Sequence, residues 1–169
     1  MYEPHIFLLK NMLLTSHTFV GVAIGASVSN PYIAVPLSIV MHFLGDAVPH
    51  WDFYSNTTRE ERLKGWRPLA VMADLIIGVA VGLTATYYSL WVLKDTNMAF
   101  NIFLAGAASV LPDALEGPYI FMQKETGFIK TLTILQRKMQ FQAPLPWGII
   151  SQLLVISVSL LVILNSLTL

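Results

Sequence analysis

The sequence predicts an all-α protein, a polytopic membrane helix bundle forming one integral membrane domain over residues 1–169. It would have about five transmembrane helices and one interfacial amphipathic helix. Three observations carry this. Of 169 residues, 55% are hydrophobic and only 12% are charged, about half the ~25% charged residues of an ordinary soluble domain. Mean hydropathy is +0.63, with apolar runs approaching the ~20 residues that a bilayer core demands. The basic residues gather between those runs. Formal net charge is zero, which gives no reason to expect a nucleic-acid partner. Cysteine is absent, so disulfides, thiolate ligands and a cysteine nucleophile are excluded.

Residues 1–12 read as a short lead-in without a cleavable signal pattern, with Ile6, Phe7, Leu8 and Leu9 in the lipid interface. The first span, about 13–29, contains Gly21 and Gly25. That Gly-x-x-x-Gly pair lets another helix approach closely. Asn30-Pro31 is a turn. The second span, about 32–48, ends in His42-Phe-Leu-Gly-Asp46-Ala-Val-Pro-His50-Trp-Asp52. A polar loop follows at 53–67, with Arg59, Glu60, Glu61, Arg62, Lys64 and Arg67. The third span, about 68–92, is apolar except for Asp74 and finishes on an aromatic belt of Tyr87, Tyr88 and Trp91. After a turn at Lys94–Asn97, the fourth span covers about 98–112 and runs into Leu111-Pro112-Asp113-Ala-Leu-Glu116. Residues 118–143 mix Lys124, Lys130, Arg137 and Lys138 with Phe121, Phe128, Ile129, Leu132 and Leu135, the pattern of a helix lying on the membrane surface. The fifth span, about 145–166, holds no charge.

Five crossings turn this order into a site. His17 starts the first span, His42 to Asp52 finish the second, Asp74 lies early in the third, and Asp113 and Glu116 close the fourth. All of them fall on one side of the membrane. Nine of the ten Lys and Arg residues also fall there, with Lys94 alone opposite. The positive-inside rule makes that side cytoplasmic. The expected location is a prokaryotic plasma (inner) membrane, with the N-terminus and the site facing the cytoplasm.

His42, Asp46 and His50 follow one another at four-residue steps. Each step turns a helix by about 40° from the previous face, so His42 and Asp46 project together. Pro49 ends the helix and lets His50 and Asp52 curl back. Ionisable groups at membrane depth cost a few kcal/mol each unless paired, metal-bound or hydrated. Imidazoles with carboxylates suit a divalent metal, zinc first, with manganese, iron or magnesium as alternatives. His17, His42, Asp46, His50, Asp74 and Asp113 are the expected ligands of one or two ions. A bound water with its pKa brought down would be the nucleophile, and Glu116 or Asp52 would take its proton. Blander readings stand beside these. His17 alone would be an interfacial histidine, and His42 with Asp46 a hydrogen-bonded pair. Asp74 would pair with Arg67, and Asp52 and Glu116 would cap helix ends. His5 reads as a surface group.

Ser16-His17 with Gly21, the helix from His42 to Asp46 ending at Pro49-His50, and Leu111-Pro112-Asp113 together resemble a known pattern. It belongs to the small inner-membrane proteins grouped as membrane-bound metal-dependent hydrolases. His42-x-x-x-Asp46 is also similar to the metal-binding helix of zinc-dependent phospholipase C. The resemblance implies metal binding at His17, His42, Asp46, His50 and Asp113. No histidine follows His50, so the later half of the chain offers a metal carboxylates only.

These readings converge on hydrolysis of a phosphoester, with a membrane lipid or lipid-linked phosphate as substrate. Two alternatives come from other classes. One is a transporter of protons or metal ions, which needs polar groups continuing to the far side. The other is a membrane adaptor that binds a partner through residues 53–67 and 118–143 around a structural metal.

Overall fold

A computed structural model describes residues 12–53, 57, 61, 64–121 and 127–168, and the side chains of these except 118–121. His5, the lead-in to residue 11, Arg59, Glu60, Arg62 and Lys124 lie outside the described residues. Six helices and no strand occur among those described. They are α1 (Leu14–Ser27), α2 (Pro31–Asp46), α3 (Arg67–Tyr87, extended by one wide turn Tyr88–Val92), α4 (Thr96–Phe121), α5 (Gly127–Met139) and α6 (Trp147–Thr168).

Three helices are long and apolar enough to cross a membrane: Arg67–Val92, Thr96–Gly117 and Trp147–Thr168. Five spans were expected, and the difference lies in α1 and α2. With 14 and 16 residues, they reach about 21 and 24 Å at ~1.5 Å per residue, short of a ~30 Å hydrocarbon core. The apolar runs are longer than the helices, because Leu13 and Val28 at the ends of α1 are extended and Asn30 caps α2 through its side chain on the Tyr32 N–H. Pro31 opens α2, where its missing N–H is harmless. Tyr87, Tyr88 and Trp91 are exposed at one end of α3, and Trp66 precedes it at the other.

α1 is the hub, packed against α2, α3, α4 and α6. Its glycines explain how. A Cβ on Gly25 would lie 2.5 Å from the Ile102 Cα, and one on Gly21 would lie 2.7 Å from the Ala105 carbonyl oxygen. Both glycines therefore let α1 meet the α4 backbone, as the Gly-x-x-x-Gly spacing predicts. Around them Val22, Ala23, Ala26, Ile102 and Ile163 form the apolar core. Hydroxyls on the helices are satisfied locally: Thr18, Ser38, Thr86 and Ser89 each donate to the carbonyl four residues earlier. That arrangement suits a solvent without water.

The start of α1 is satisfied by other segments. Its first N–H groups have no intrahelical acceptor, and Leu13 at the N-cap offers no side-chain cap. Instead Met12 donates to Asp46 Oδ1 at 3.3 Å, Leu13 to Gln152 Oε1 at 3.1 Å, and Leu14 and Thr15 to Asp74 at 2.7 and 3.2 Å. Four backbone donors are thus held by side chains of α2, α6 and α3. Gln152 also donates to the carbonyls of Trp51 at 2.7 Å and Gly148 at 3.0 Å. One amide so pins α6, α1 and the chain after α2 together.

Candidate metal centre

Four of the predicted ligands meet at this end of the bundle. His17 comes from α1, His42 and Asp46 from α2, and Asp113 from α4, and all four are buried. His17 Nε2 lies 3.3 Å from Asp46 Oδ1 and 4.0 Å from Asp113 Oδ2. His42 Nε2 lies 3.6 Å from Asp46 Oδ2 and 3.7 Å from Asp113 Oδ1. Each imidazole therefore stands between the same two carboxylates. The rings stack with centroids 4.1 Å apart. Gly45 makes room for this, since a Cβ there would press on His17 Cε1 at 3.3 Å.

The tautomer of His42 follows from its other nitrogen. Nδ1 is 2.8 Å from the Ser109 carbonyl oxygen. A carbonyl only accepts, so Nδ1 carries the proton. In the neutral ring the Nε2 lone pair then faces the two aspartates. A metal-ligating histidine is commonly oriented this way, its second nitrogen donating to a backbone carbonyl. That lone pair is within hydrogen-bond reach of the Gln136 amide nitrogen at 3.3 Å, and the two carboxylates beside it offer further acceptors to a cation. A tetrahedral ion with bonds of ~2.0–2.1 Å separates its donor atoms by about 3.3 Å, close to the 3.3–4.0 Å distances found. His17, His42 and Asp113 offer donor atoms all within 4.8 Å of one another, a buried group that can hold a metal ion. Asp46 lies against this trio, 3.3 Å from His17 and 3.6 Å from His42, without being one of the three. Two carboxylates and two neutral imidazoles carry two negative charges, which a single divalent cation balances.

Two residues that the sequence did not single out complete the setting. On α5, Gln136 Nε2 donates to Asp113 Oδ1 at 2.9 Å and lies 3.3 Å from His42 Nε2. Just past that helix, Gln140 Nε2 donates to Asp46 Oδ2 at 3.2 Å. The segment expected as a surface helix over 118–143 therefore turns one edge inward, with Thr133, Gln136 and Gln140 buried. Their i, i+3, i+7 spacing puts all three on one face. That uncharged polar stripe, interleaved with Lys130, Arg137 and Lys138, was the legible signal.

The other predicted residues have different places. Asp74 does not join the group: both of its carboxylate oxygens accept backbone N–H groups at the start of α1. Its expected role as a metal ligand gives way to that of a cap, because those donors would otherwise be left without an acceptor. His50 is fully buried, but its Nδ1 is bonded to the Val48 carbonyl at 2.8 Å and it lies outside the metal-binding trio. Its backbone is clasped by Phe141 and Ala143 at 3.0 and 2.8 Å. Burial pushes the His50 imidazole below its ordinary range, against the opposing pull of the Val48 carbonyl, Asp46 and Asp52. Glu116 is fully buried one turn beyond Asp113 on α4, and Asp52 is buried between His50 and Phe53.

A cavity of about 390 Å³ reaches this end of the bundle, lined by Asp52, Asp74 and Asp113 and by apolar residues including Met12, Met72 and Leu75. Met72 and Leu75 are exposed on α3, so the cavity opens on the outer face of a helix long and apolar enough to cross a membrane. No family model, curated protein or solved structure matches the chain.

Proposed function

We propose that the protein is a membrane-bound, metal-dependent hydrolase of a phosphoester, most simply a lipid or lipid-linked phosphate, related to the inner-membrane hydrolases whose motifs it resembles. The observation that carries this reading is the His17/His42/Asp46/Asp113 group beside a cavity that opens on the outer face of α3. Zinc is the favoured ion, because two imidazole nitrogens and two carboxylate oxygens match its usual donor set. When bound, a divalent ion supplies the charge that activates water and polarises a phosphoryl oxygen. Gln136 and Gln140 hold the two carboxylates in place through their amides. Glu116 and Asp52 are acids near the group, suited to accept a proton from the attacking water. The bias of Lys and Arg to the loops at this end supports a cytoplasmic side for the site.

The transport reading has less support. It needs polar groups leading away from the site, but Ser38 donates to the Ala34 carbonyl of its own helix, and the Asn101 amide donates to the Val28 and Ser29 carbonyls just past the end of α1. The test is turnover by the purified, metal-loaded chain presented with phosphatidic acid, a diacyl phospholipid and an isoprenyl phosphate. Product release that disappears in His42→Ala and after chelation is expected. A chain that binds metal and releases nothing from any of them is not a hydrolase of this class.

A further inference from the structure

The cavity beside Asp113 does not end at the ionisable group. Leu14, Leu75 and Val110 line it and also line a second, almost wholly apolar groove of about 200 Å³ between α3 and α4. The two meet at these shared wall residues and are read as one trough, which leads past Gly78, Gly82 and Gly106. From Leu75 to Leu83 it follows α3 for about 12 Å at ~1.5 Å per residue, towards the middle of the membrane. Val79, Leu83 and Phe103 on its rim are exposed.

Its glycines are of two kinds. A Cβ at Gly78 would meet Thr18 Oγ1 at 2.9 Å, so helix packing excludes a side chain there. At Gly82 the nearest atom is Thr18 Cγ2 at 3.6 Å, and at Gly106 it is Val22 Cγ2 at 3.8 Å, both ordinary contacts. Packing admits a side chain at these two positions, yet glycine is unfavourable inside a helix. What their missing side chains do is keep the groove open. About 200 Å³ is room for a stretch of one hydrocarbon chain. Lipid tails are as apolar as the groove, so the groove contributes register more than affinity.

We propose that this trough seats one hydrocarbon chain of an amphiphile, holding its phosphate head at the level of the His17/His42/Asp46/Asp113 group. The identity of the head rests on the hydrolase reading, whereas the seat of the chain rests on the trough alone. The probe is a single-chain lipid phosphate carrying a diazirine at the chain terminus, or in a second version next to the head, photolysed with the full-length protein in nanodiscs. The terminal diazirine is expected to label the peptides around Leu83 and Phe103, and the head-proximal one those around Leu14 and Met72. Gly82→Leu with Gly106→Leu should reduce the terminal label at least fivefold while metal content, read by elemental analysis, stays that of the parent. On the unmodified protein, a twelve-carbon phosphate should compete at least tenfold better than a four-carbon one. Label spread evenly over the exposed faces of α3 and α6, or equal competition by both chain lengths, overturns the proposal. Turnover is not needed for this readout. Directed labelling of a chain that hydrolyses nothing supports the seat and removes the hydrolase reading; turnover with undirected labelling does the reverse.

Discussion

Along the last three turns of α1, Gly21 and Gly25 close directly on the α4 backbone, and Val22, Ala23 and Ala26 pack on Ile102 and Ile163. Along its first turn, the same helix meets Asp46, Asp74 and Gln152 and brings His17 between two aspartates. One half is dry and close-packed. The other buries imidazoles and carboxylates that cost several kcal/mol each unless their charge is balanced. The contrast teaches where stability and chemistry reside: the glycine-lined half packs the bundle together, and the polar half gathers a buried His-His-Asp group that can hold a cation. A bundle selected for stability alone would have continued the first pattern through the second.

That division can be broken deliberately. The largest effect is expected from His42→Ala or Asp46→Ala, each of which should abolish bound metal as measured by elemental analysis, while circular dichroism still reports a helical protein. Metal retained at full stoichiometry in both would dissolve the distinction between the halves. Gln136→Ala removes an amide that orients Asp113 and lies against His42. Losses of such outer partners typically reach about 10–100-fold in metal affinity, readable by competition with a chelator of known strength.

Changes confined to the dry half should act in the opposite sense, on folding with metal affinity per folded molecule preserved. Gly25→Val drives side-chain atoms into the Ile102 backbone, and overpacking of this kind costs about 1–3 kcal/mol. Denaturation in mild detergent measures it. Asp74→Ala sharpens the boundary, because it strips acceptors from the Leu14 and Thr15 N–H groups. A cap lost in this way costs about 1–2 kcal/mol, and metal stoichiometry should survive. A metal-free Asp74→Ala protein of normal stability would return Asp74 to the ligand set.

The smallest effect is the pH response of His50. Its folded-state pKa lies below the 6.5 of a free imidazole, chiefly through burial. The unfolded chain therefore binds the proton more readily. The contribution of His50 to stability is complete above about pH 6.5 and declines as the pH falls towards its folded value. His50→Gln should flatten that part of the stability–pH curve.

Much of this was legible in the sequence, for stated reasons. His17, His42, Asp46 and Asp113 carry a large penalty in an apolar chain, and helix order alone puts them at one end. Gly21 and Gly25 announced the α1–α4 contact by spacing. The count of spans was overestimated because an apolar run includes residues such as Leu13 and Val28 that leave the helix, and because α1, enclosed by its neighbours, need not match the bilayer. Asp74 could not be assigned from sequence, since capping joins it to a segment about sixty residues earlier. Gln136, Gln140 and Gln152 went unnoticed because an uncharged amide has little cost until it is seen to be buried.

The claim on which the rest depends is that a cation holds His17, His42, Asp46 and Asp113 together. Anomalous scattering from a crystal of the purified protein, collected on both sides of the zinc edge, tests it directly. The account predicts a peak among the four side chains, at bonding distance from both Nε2 atoms, and its disappearance in His42→Ala. Four side chains in the same arrangement with no peak, before and after soaking in divalent metal, would contradict it.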